Sequence, residues 1–282
     1  MQLGRIGIWQ RRQDVNAEAG REIEALGYSA LWLGSNPSVT DARPFLERTS
    51  TLVVATSILN IWHHEPADVA AQHAELASAF PDRFLLGIGV GHPEAISAYE
   101  KPLARMSAFF DGLDAVQRPV PRDQRVAAAL GPKMLDLAAE RSLGAIPYFV
   151  TPEHTRIARE RMGTGVLLAP EVAVVVEPDP ETARAKARKY AALYLGATNY
   201  LRNLERLGFS ERDIADGGSD ALIDAVIPHG SPEAIAEAVE AQFDAGADHV
   251  CLQPVGHDHP PLDDYRSLAG ALVGMTGDRR AP

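Results

Sequence analysis

Short apolar runs alternate with helix-like segments along most of the chain, and this alternation restricts the possible fold more than any other feature. The gaps between most runs carry apolar residues at helical spacing, as over 67–80 and 103–116. Strands that alternate with helices form right-handed units around a parallel sheet. Eight such units in about 250 residues is the count of a (β/α)8 TIM barrel, so we predict this α/β fold. The eight runs are 3–9, 30–33, 52–58, 84–90, 126–130, 145–150, 171–176 and 249–255.

The connection between the seventh run and the last helices is several times longer than usual. One helix is predicted to start at Asp179-Pro180-Glu181 and another to run from about Tyr200, before a flexible break at Gly217-Gly218. We therefore predict one barrel domain over 1–282 that contains a helical insertion over 178–230. This insertion acts as a lid or a subunit contact at the active end, or it only extends the outer helix layer.

Charge and cysteine content exclude several classes of protein. The net charge of −11 argues against broad binding of nucleic acid or anionic membranes. No apolar run approaches the roughly 20 residues of a membrane span, and the first residues lack a signal-peptide core. The single cysteine, Cys251, allows no internal disulfide and fits a reducing compartment. We expect a cytoplasmic protein whose partner is a small-molecule substrate.

The fourth apolar run ends in glycines followed by polar residues. Gly89 and Gly91 would let a planar or anionic group approach the backbone closely. His92 stands where a dinucleotide fingerprint needs its third glycine, so this segment is not a Rossmann loop. Imidazole titrates near neutral pH, which makes His92 the first candidate for an acid or base. His64 and Glu94 are further candidates.

Four helices are predicted to begin with proline at their first position, where its missing N–H costs nothing: those at Pro66, Pro132, Pro152 and Pro232. Those that follow strands would direct N–H groups toward the carboxyl ends of the barrel strands, which suits an anion. Gly131-Pro132-Lys133 adds a cation, and the Thr151 to His154 segment adds a hydroxyl and an imidazole. We predict a phosphate-binding region here, with ordinary helix capping as the alternative.

The segment after the third run combines apolar surface with an amide and imidazoles. Residues such as Leu59 and Asn60 could support one face of a flat heterocycle. Adjacent His63 and His64 would point to different sides, and no third ligand stands at zinc-like spacing, so we predict no metal site. A metal-dependent hydrolase with zinc at these histidines or at loop 257–259 is the alternative. The scarcity of obvious nucleophiles indicates that a cofactor carries the chemistry.

Several of these motifs together resemble the bacterial luciferase-like superfamily. They are Ser57-Ile58-Leu59, the 84–92 strand with its GxGxG end, Leu130-Gly131-Pro132-Lys133, and the segments 231–235 and 244–250. The chain is more closely similar to the deazaflavin branch, whose members use coenzyme F420 and are common in actinobacteria. The resemblance covers nearly the whole chain and implies a luciferase-like TIM barrel that forms a homodimer.

The resemblance also implies roles for individual residues. A non-prolyl cis peptide would link Ser57 and Ile58 behind the deazaflavin ring. The GxGxG end would lie near the cofactor, while the starts of the later helices would hold its side chain and phosphate. The cofactor-binding residues predicted in this way and from the motifs above are Ser57, Ile58, Leu59, Asn60, Gly89, Val90, Gly91, Leu130, Gly131, Pro132, Lys133, Thr151 and His154.

Two departures from the superfamily pattern bear on the substrate. In the sugar-phosphate dehydrogenases of this superfamily a carboxylate follows the GxG motif and an acidic residue often follows strand two. Here His92 and Gly34-Ser35-Asn36 stand at those places, which argues against sugar-phosphate oxidation. The leading hypothesis is hydride transfer between the deazaflavin C5 and a small organic substrate. The alternatives are an FMN-dependent monooxygenase and a flavin- or deazaflavin-binding barrel without turnover.

Overall fold

The computed structural model describes residues 3–96, 99, 101–257 and 261–272. Its strands are β1 (Ile6–Arg11), β2 (Ala30–Gly34), β3 (Val53–Thr56), β4 (Leu59–Asn60), β5 (Phe84–Gly89), β6 (Arg125–Ala127), β7 (Gly144–Ala145), β8 (Leu167–Leu168), β9 (Glu171–Val176), β10 (His229–Gly230) and β11 (Val250–Pro254). Its α-helices are α1 (Ala17–Ala25), α2 (Arg43–Arg48), α3 (Pro66–Ala79), α4 (Pro102–Asp114), α5 (Pro132–Arg141), α6 (Pro152–Met162), α7 (Pro180–Ala191), α8 (Thr198–Arg206), α9 (Glu211–Ile214), α10 (Asp220–Val226), α11 (Pro232–Asp244) and α12 (Leu262–Leu272).

The strands pair in parallel and form a closed ring. From β11 the order runs through β1, β2, β3, β5, β6 and β7 to β8, while β4 continues the path of β3 beside β5. The segment of β8 and β9 closes the ring, because Glu171 bridges to Tyr148 on one side and pairs with Cys251 on the other. At the same closure the Asp248 amide donates to the Leu168 carbonyl at 2.9 Å. The predicted (β/α)8 fold is therefore confirmed.

Alternate strand residues serve two different parts of the core. In β2, Leu31 and Leu33 join the large cluster between the ring and the outer helices, whereas Ala30 and Trp32 join a cluster that fills the inside of the ring. All residues of β5 are buried. A strand buried on both faces has to be continuously apolar, and this explains the uninterrupted run in the sequence.

The eight apolar runs coincide with the eight positions of the ring, and the helix patterns coincide with α1, α3, α4, α5, α6 and α11. Proline stands in the first turn of the helices predicted to start with it, at positions 66, 132, 152 and 232. The sequence did not indicate α2, α9, α10 or α12. The first two are too short for a helical period to be visible.

Between β9 and β10 the chain leaves the ring and forms α7, α8, α9 and α10. Buried residues of α7, α8 and α10 pack on Ala173 and Val175 of β9 and on Phe149, which follows β7. The helices therefore cover the carboxyl ends of these strands. A domain over 1–282 reaches beyond the described residues and stays a prediction, as does a role of the segment 178–230 as lid or subunit contact.

No helix within the described residues is long and apolar enough to cross a membrane.

Candidate active site

A cavity of about 300 Å³ lies at the carboxyl ends of the strands, and we call it the central pocket. Its walls come from the ends of β1, β3, β5, β6 and β7, from β9, and from the helix α8 that folds over the ring. The lining residues are Trp9, Ser57, Ile58, Val90, Gly91, His92, Tyr99, Pro102, Ala128, Ala129, Leu130, Gly131, Met134, Ile146, Tyr148, Glu171, Tyr194, Asn199 and Tyr200.

One wall of the central pocket is the break between β3 and β4. The Ser57–Ile58 peptide bond is cis, as the family resemblance implies. The Ser57 carbonyl accepts a hydrogen bond of 3.1 Å from Trp9 Nε1. An added Cβ at Gly89 would lie 2.9 Å from the Ile58 side chain, so glycine keeps this corner open. At Gly91 the φ is 60°, a left-handed conformation that favours glycine.

His92 stands at the rim of the central pocket and is held by α8. Its Nδ1 lies 3.2 Å from Asn199 Oδ1, and its ring centroid lies 5.2 Å from that of Tyr200. The amide oxygen is an acceptor, so in this arrangement Nδ1 carries the proton of the neutral ring and Nε2 keeps a lone pair. His92 can therefore accept a proton at Nε2 without losing its contact with Asn199.

A carboxyl group is buried against the central pocket. Glu171 is 8% exposed, and Ser57 Oγ donates to its Oε2 at 3.4 Å. Burial raises the pKa of Glu171 well above its ordinary value, because the charged carboxylate would lose its hydration. The Ser57 hydrogen bond acts in the opposite direction and is weaker. Burial therefore favours the neutral carboxylic acid form of Glu171 over the carboxylate.

Tyrosines form part of the wall of the central pocket. The hydroxyls of Tyr148 and Tyr190 lie within hydrogen-bond distance of each other and of Gln253 Oε1, at 3.1 Å and 2.6 Å from that oxygen. Each hydroxyl has one proton, so the two hydroxyls share these contacts as donors and acceptors. Tyr194 joins this group through a 3.0 Å contact with the Tyr190 hydroxyl. Burial raises the pKa of Tyr148, Tyr190 and Tyr200 well above the ordinary value, so these hydroxyls stay neutral. The wall presents ring faces and edges, because the neighbouring tyrosine rings pack edge to face.

A second cavity of about 540 Å³ lies beside the first, between α5, α6 and α8, and we call it the side pocket. Leu130 lines both cavities, so the two meet at the loop between β6 and α5. The lining residues are Leu130, Pro132, Leu135, His154, Ile157, Glu160, Arg161, Asn203, Arg206 and Leu207.

The structure brings together about half of the residues predicted from the sequence. Those that line the central pocket are Ser57, Ile58, Val90, Gly91, His92, Leu130 and Gly131. Pro132 and His154 line the side pocket, which also reaches Leu130.

The remaining predicted residues line neither pocket. Leu59 belongs to the core outside the ring. Asn60 is buried and accepts from the Trp62 amide at 3.1 Å, close behind Gly91. Thr151 caps α6 by accepting from the His154 amide. Gly89 and Lys133 are not lining residues either.

Two candidate acids or bases also stand outside the pockets. Glu94 is exposed and accepts from the Thr198 amide and hydroxyl, which hold the pKa of its carboxyl below the ordinary value. His64 is partly buried, and burial, with the neighbouring His63, lowers the pKa of its imidazole. Neither residue lines either pocket, and their roles as acids or bases stay predictions.

No group of three or more His, Cys, Asp or Glu side chains that could hold a metal occurs in the described part of the chain. Of the loop named for the metal alternative, Asp258 and His259 lie outside the described residues.

Sequence reasoning missed the residues that reach the pockets from the far side of the ring. Glu171 is the first residue of the apolar run 171–176. A carboxylate at the start of that run was the only sign in the sequence that this residue could line a pocket. Asn199, Tyr200, Asn203 and Arg206 belong to α8, whose place over the ring has no signature in the sequence.

Comparison with known proteins gives one family. The family described as luciferase-like monooxygenase matches residues 10–111 and 106–249, more than half of the chain. A 5,10-methylenetetrahydromethanopterin reductase of Archaeoglobus fulgidus is 24% identical in an alignment of length 264. The match covers 75% of this chain and 80% of that protein. An F420-dependent glucose-6-phosphate dehydrogenase of Tsukamurella paurometabola is 26% identical in an alignment of length 274. The match covers 78% of this chain and 78% of that protein.

Solved structures share the fold at lower identity. The coenzyme F420 dependent tetrahydromethanopterin reductase of Methanopyrus kandleri has a TM-score of 0.76 and 15% identity, over 98% of this chain and 100% of that one. The oxygenating constituent of 3,6-diketocamphane monooxygenase of Pseudomonas putida, in complex with FMN, has a TM-score of 0.70 and 13% identity, over 99% of each chain. At these identities the likeness shows the fold alone.

Proposed function

The chain belongs to the luciferase-like monooxygenase family, and from that premise we propose that it is an oxidoreductase that binds coenzyme F420 and transfers a hydride between the deazaflavin C5 and a small organic substrate. The named F420-dependent relative and the fold shared with an F420-dependent reductase support this choice of cofactor. The observation that carries the proposal is the central pocket, whose lining includes the cis Ser57–Ile58 peptide and the His92 imidazole at the ring's carboxyl end.

The residues of the central pocket fit a planar ring. An added Cβ at Gly91 would stand 3.0 Å from Asn60 Nδ2, so glycine leaves room that any other residue would take. Ile58 and Tyr200 supply flat or apolar surface, as expected for cofactor sites with few polar groups. When bound here, the deazaflavin would supply the hydride donor or acceptor at its C5 carbon.

The chain's own residues would position the substrate and handle the proton that accompanies the hydride. We assign acid–base transfer to His92 Nε2, with Asn199 as a positioning residue through Nδ1. Glu171, kept neutral by burial, would donate a hydrogen bond inside the pocket and leave no charge there. The buried tyrosine wall would exclude water, which strengthens the electrostatic contacts that remain.

The substrate is proposed to be a small organic compound. Two sequence features argue against the sugar phosphate named for one relative. His92 stands where the sugar-phosphate dehydrogenases have a carboxylate, and Gly34-Ser35-Asn36 stands where they often have an acidic residue. A homodimer and a cytoplasmic location are part of the same proposal.

An FMN-dependent monooxygenase is the second candidate, because the FMN-bound neighbour shares the fold. Titrating the purified protein with F420 and with FMN, followed by fluorescence quenching, separates the two candidates. We expect F420 to bind at least about tenfold more tightly, a difference of about 1.4 kcal/mol. Tighter binding of FMN would favour the monooxygenase, and binding of neither compound would overturn both. Binding of F420 without hydride transfer to a broad substrate panel would indicate a binding protein.

A further inference from the structure

The lining of the central pocket provides no permanent cation. Among the described lining residues there is no Lys or Arg, and the ionisable side chains are those of His92, Glu171 and several tyrosines. Burial raises the pKa of these tyrosines, so their hydroxyls stay neutral. Arg11, whose charge acts on Tyr194, pairs with Asp14 at 3.7 Å and does not line the pocket. An anionic group inside the pocket would therefore have no guanidinium or ammonium to pair with.

Glu171 brings a carboxyl group to the wall of this pocket. Its backbone is held in the ring, because Glu171 pairs with Cys251 of β11 and bridges to Tyr148. The residue is 8% exposed, and its Oε2 accepts from the Ser57 hydroxyl at 3.4 Å. Oε1 has no hydrogen-bond partner among the described residues, so this atom is left for an occupant of the pocket.

The surroundings of Glu171 favour one protonation state. The polar groups around it are the hydroxyls of Ser57, Tyr148 and Tyr200 and the thiol of Cys251, and none of them is positively charged. A buried carboxylate would lose its hydration there without compensation, so the neutral acid is favoured. Because Oε2 accepts from Ser57, the proton of the neutral acid is best placed on Oε1, and Glu171 donates from that atom.

A neutral donor in this position determines which ligand groups fit beside it. A carbonyl-type oxygen accepts the hydrogen bond and brings no charge into the pocket. A carboxylate or a phosphate also accepts, but it would be a buried charge without a cation to pair with. An ammonium group would need the ionised form of Glu171, which burial opposes. Uncompensated charge of this kind excludes the wrong ligands.

We propose that the central pocket selects an uncharged substrate whose carbonyl-type oxygen accepts a hydrogen bond from Glu171 Oε1, and that it rejects substrates that carry a carboxylate or a phosphate. This inference rests on the proposed function and names the substrate class of the same site. Ile58, Ile146 and Tyr200 line the same cavity, so the rest of the substrate would lie against apolar and aromatic surface. A volume of about 300 Å³ limits a substrate that shares the cavity with a cofactor ring to a small molecule.

Three ligands of nearly equal size test the selection by charge. Near neutral pH acetophenone is uncharged, benzoate is an anion and benzylamine is a cation. Their binding to F420-saturated protein is measured by isothermal titration calorimetry, so no turnover is needed. We expect acetophenone to bind wild-type protein at least about tenfold more tightly than either charged ligand, because burial of an unpaired charge opposes binding.

Two variants of Glu171 separate the hydrogen bond from the shape of the pocket. Glu171→Gln keeps a donor at this place and should change the affinity for acetophenone by less than about twofold. Glu171→Met is similar in size but lacks the donor, so it should weaken acetophenone binding by about three- to tenfold. Glu181→Met is the matched control, because Glu181 is exposed on α7 and lines neither pocket. It should bind all three ligands as wild type does, and the melting temperature of each variant is recorded to exclude unfolding.

The outcomes separate this inference from the proposed function. If wild-type protein does not bind F420, the proposed function fails, and the substrate assignment fails with it. If F420 binds but a charged ligand binds as tightly as acetophenone, or if none of the three binds, the inference is overturned while the proposed function stands. The same holds if Glu171→Met leaves acetophenone binding unchanged. If that variant weakens F420 instead, the acceptor of this hydrogen bond belongs to the cofactor ring and not to a substrate.

Discussion

The hydroxyl of Ser57 donates to Oε2 of Glu171 at 3.4 Å, across the inside of the barrel. Ser57 follows β3 and Glu171 begins β9, so the contact joins strands from opposite parts of the ring. The carboxyl group lines the central pocket and is buried from solvent. The protonation of Glu171 is therefore coupled to the folding of the barrel.

Glu171→Gln should become more stable relative to wild type as the pH rises. The folded-state pKa of Glu171 is raised, so its contribution to stability is fully present below the unfolded pKa and is lost as pH rises through the folded pKa. Between the unfolded pKa of about 4.3 and the raised folded pKa, the wild-type protein loses about 1.4 kcal/mol of unfolding free energy for each pH unit, whereas the glutamine variant has no such loss. Urea unfolding at several pH values measures the difference. Glu205→Gln, at an exposed site on α8, is the control. A gap between wild type and Glu171→Gln that does not change with pH would contradict the prediction.

His73→Leu should become more stable relative to wild type as the pH falls. Burial lowers the pKa of His73 to about 4, and its Nε2 has no partner among the described residues. A depressed pKa means that the stability contribution is present above the unfolded pKa, about 6.5, and is lost as pH falls toward the folded value. The free energies of unfolding of the two proteins should therefore separate by about 1.4 kcal/mol for each pH unit in that window. Parallel curves would disprove this, and His63→Leu, at an exposed site, provides the reference.

Gly87→Ala should destabilise the barrel severely. An added Cβ would lie 1.9 Å from the carbonyl oxygen of Thr56 on the neighbouring strand, and backbone on both sides cannot move away easily. The Thr56 hydroxyl also bonds the Gly87 carbonyl and amide, at 2.7 Å and 2.8 Å. We expect a loss of at least about 3 kcal/mol in the free energy of unfolding.

Gly196→Ala is the comparison for that experiment, because nothing lies within 4 Å of its added Cβ. Its stability should stay within about 1 kcal/mol of wild type. Equal stability of both alanine variants in chemical denaturation would contradict the close packing of Gly87 against the backbone of Thr56.

His92→Gln should lower turnover and leave cofactor affinity unchanged. The imidazole lines the central pocket and is oriented by Asn199, so its loss removes proton transfer rather than ring binding. We expect the turnover number for the first substrate that wild-type protein converts to fall by about a hundredfold or more. His63→Gln, exposed and outside both pockets, should behave as wild type. Unchanged turnover in His92→Gln would remove the catalytic role of this residue.

Much of the fold could be predicted because each local signal agrees with the barrel. The 84–89 run is apolar throughout because β5 is buried on both faces, and glycine stands at 87 and 89 where neighbouring strands leave no room for a side chain. Proline marks the first turn of several helices for a local reason, the missing N–H. These are properties of adjacent residues, so the sequence displays them.

The rest of the site depends on contacts between residues that are distant in the chain. Glu171 meets Ser57, 114 positions earlier, only because the ring closes. Asn199 meets His92 across 107 positions because α8 folds back over the strand ends. The polar residues of a helix recur at the same helical spacing whether that face of the helix is exposed to solvent or lines a pocket. Only the packing of the four helices between β9 and β10 distinguishes them.

The helix α8 touches both pockets: Asn199 and Tyr200 reach one, and Asn203 and Arg206 reach the other. This helix belongs to the segment between β9 and β10, and that segment contains no strand of the ring. The lining of both pockets can therefore be altered by exchanging the segment between β9 and β10 alone, while the strands of the ring keep their residues.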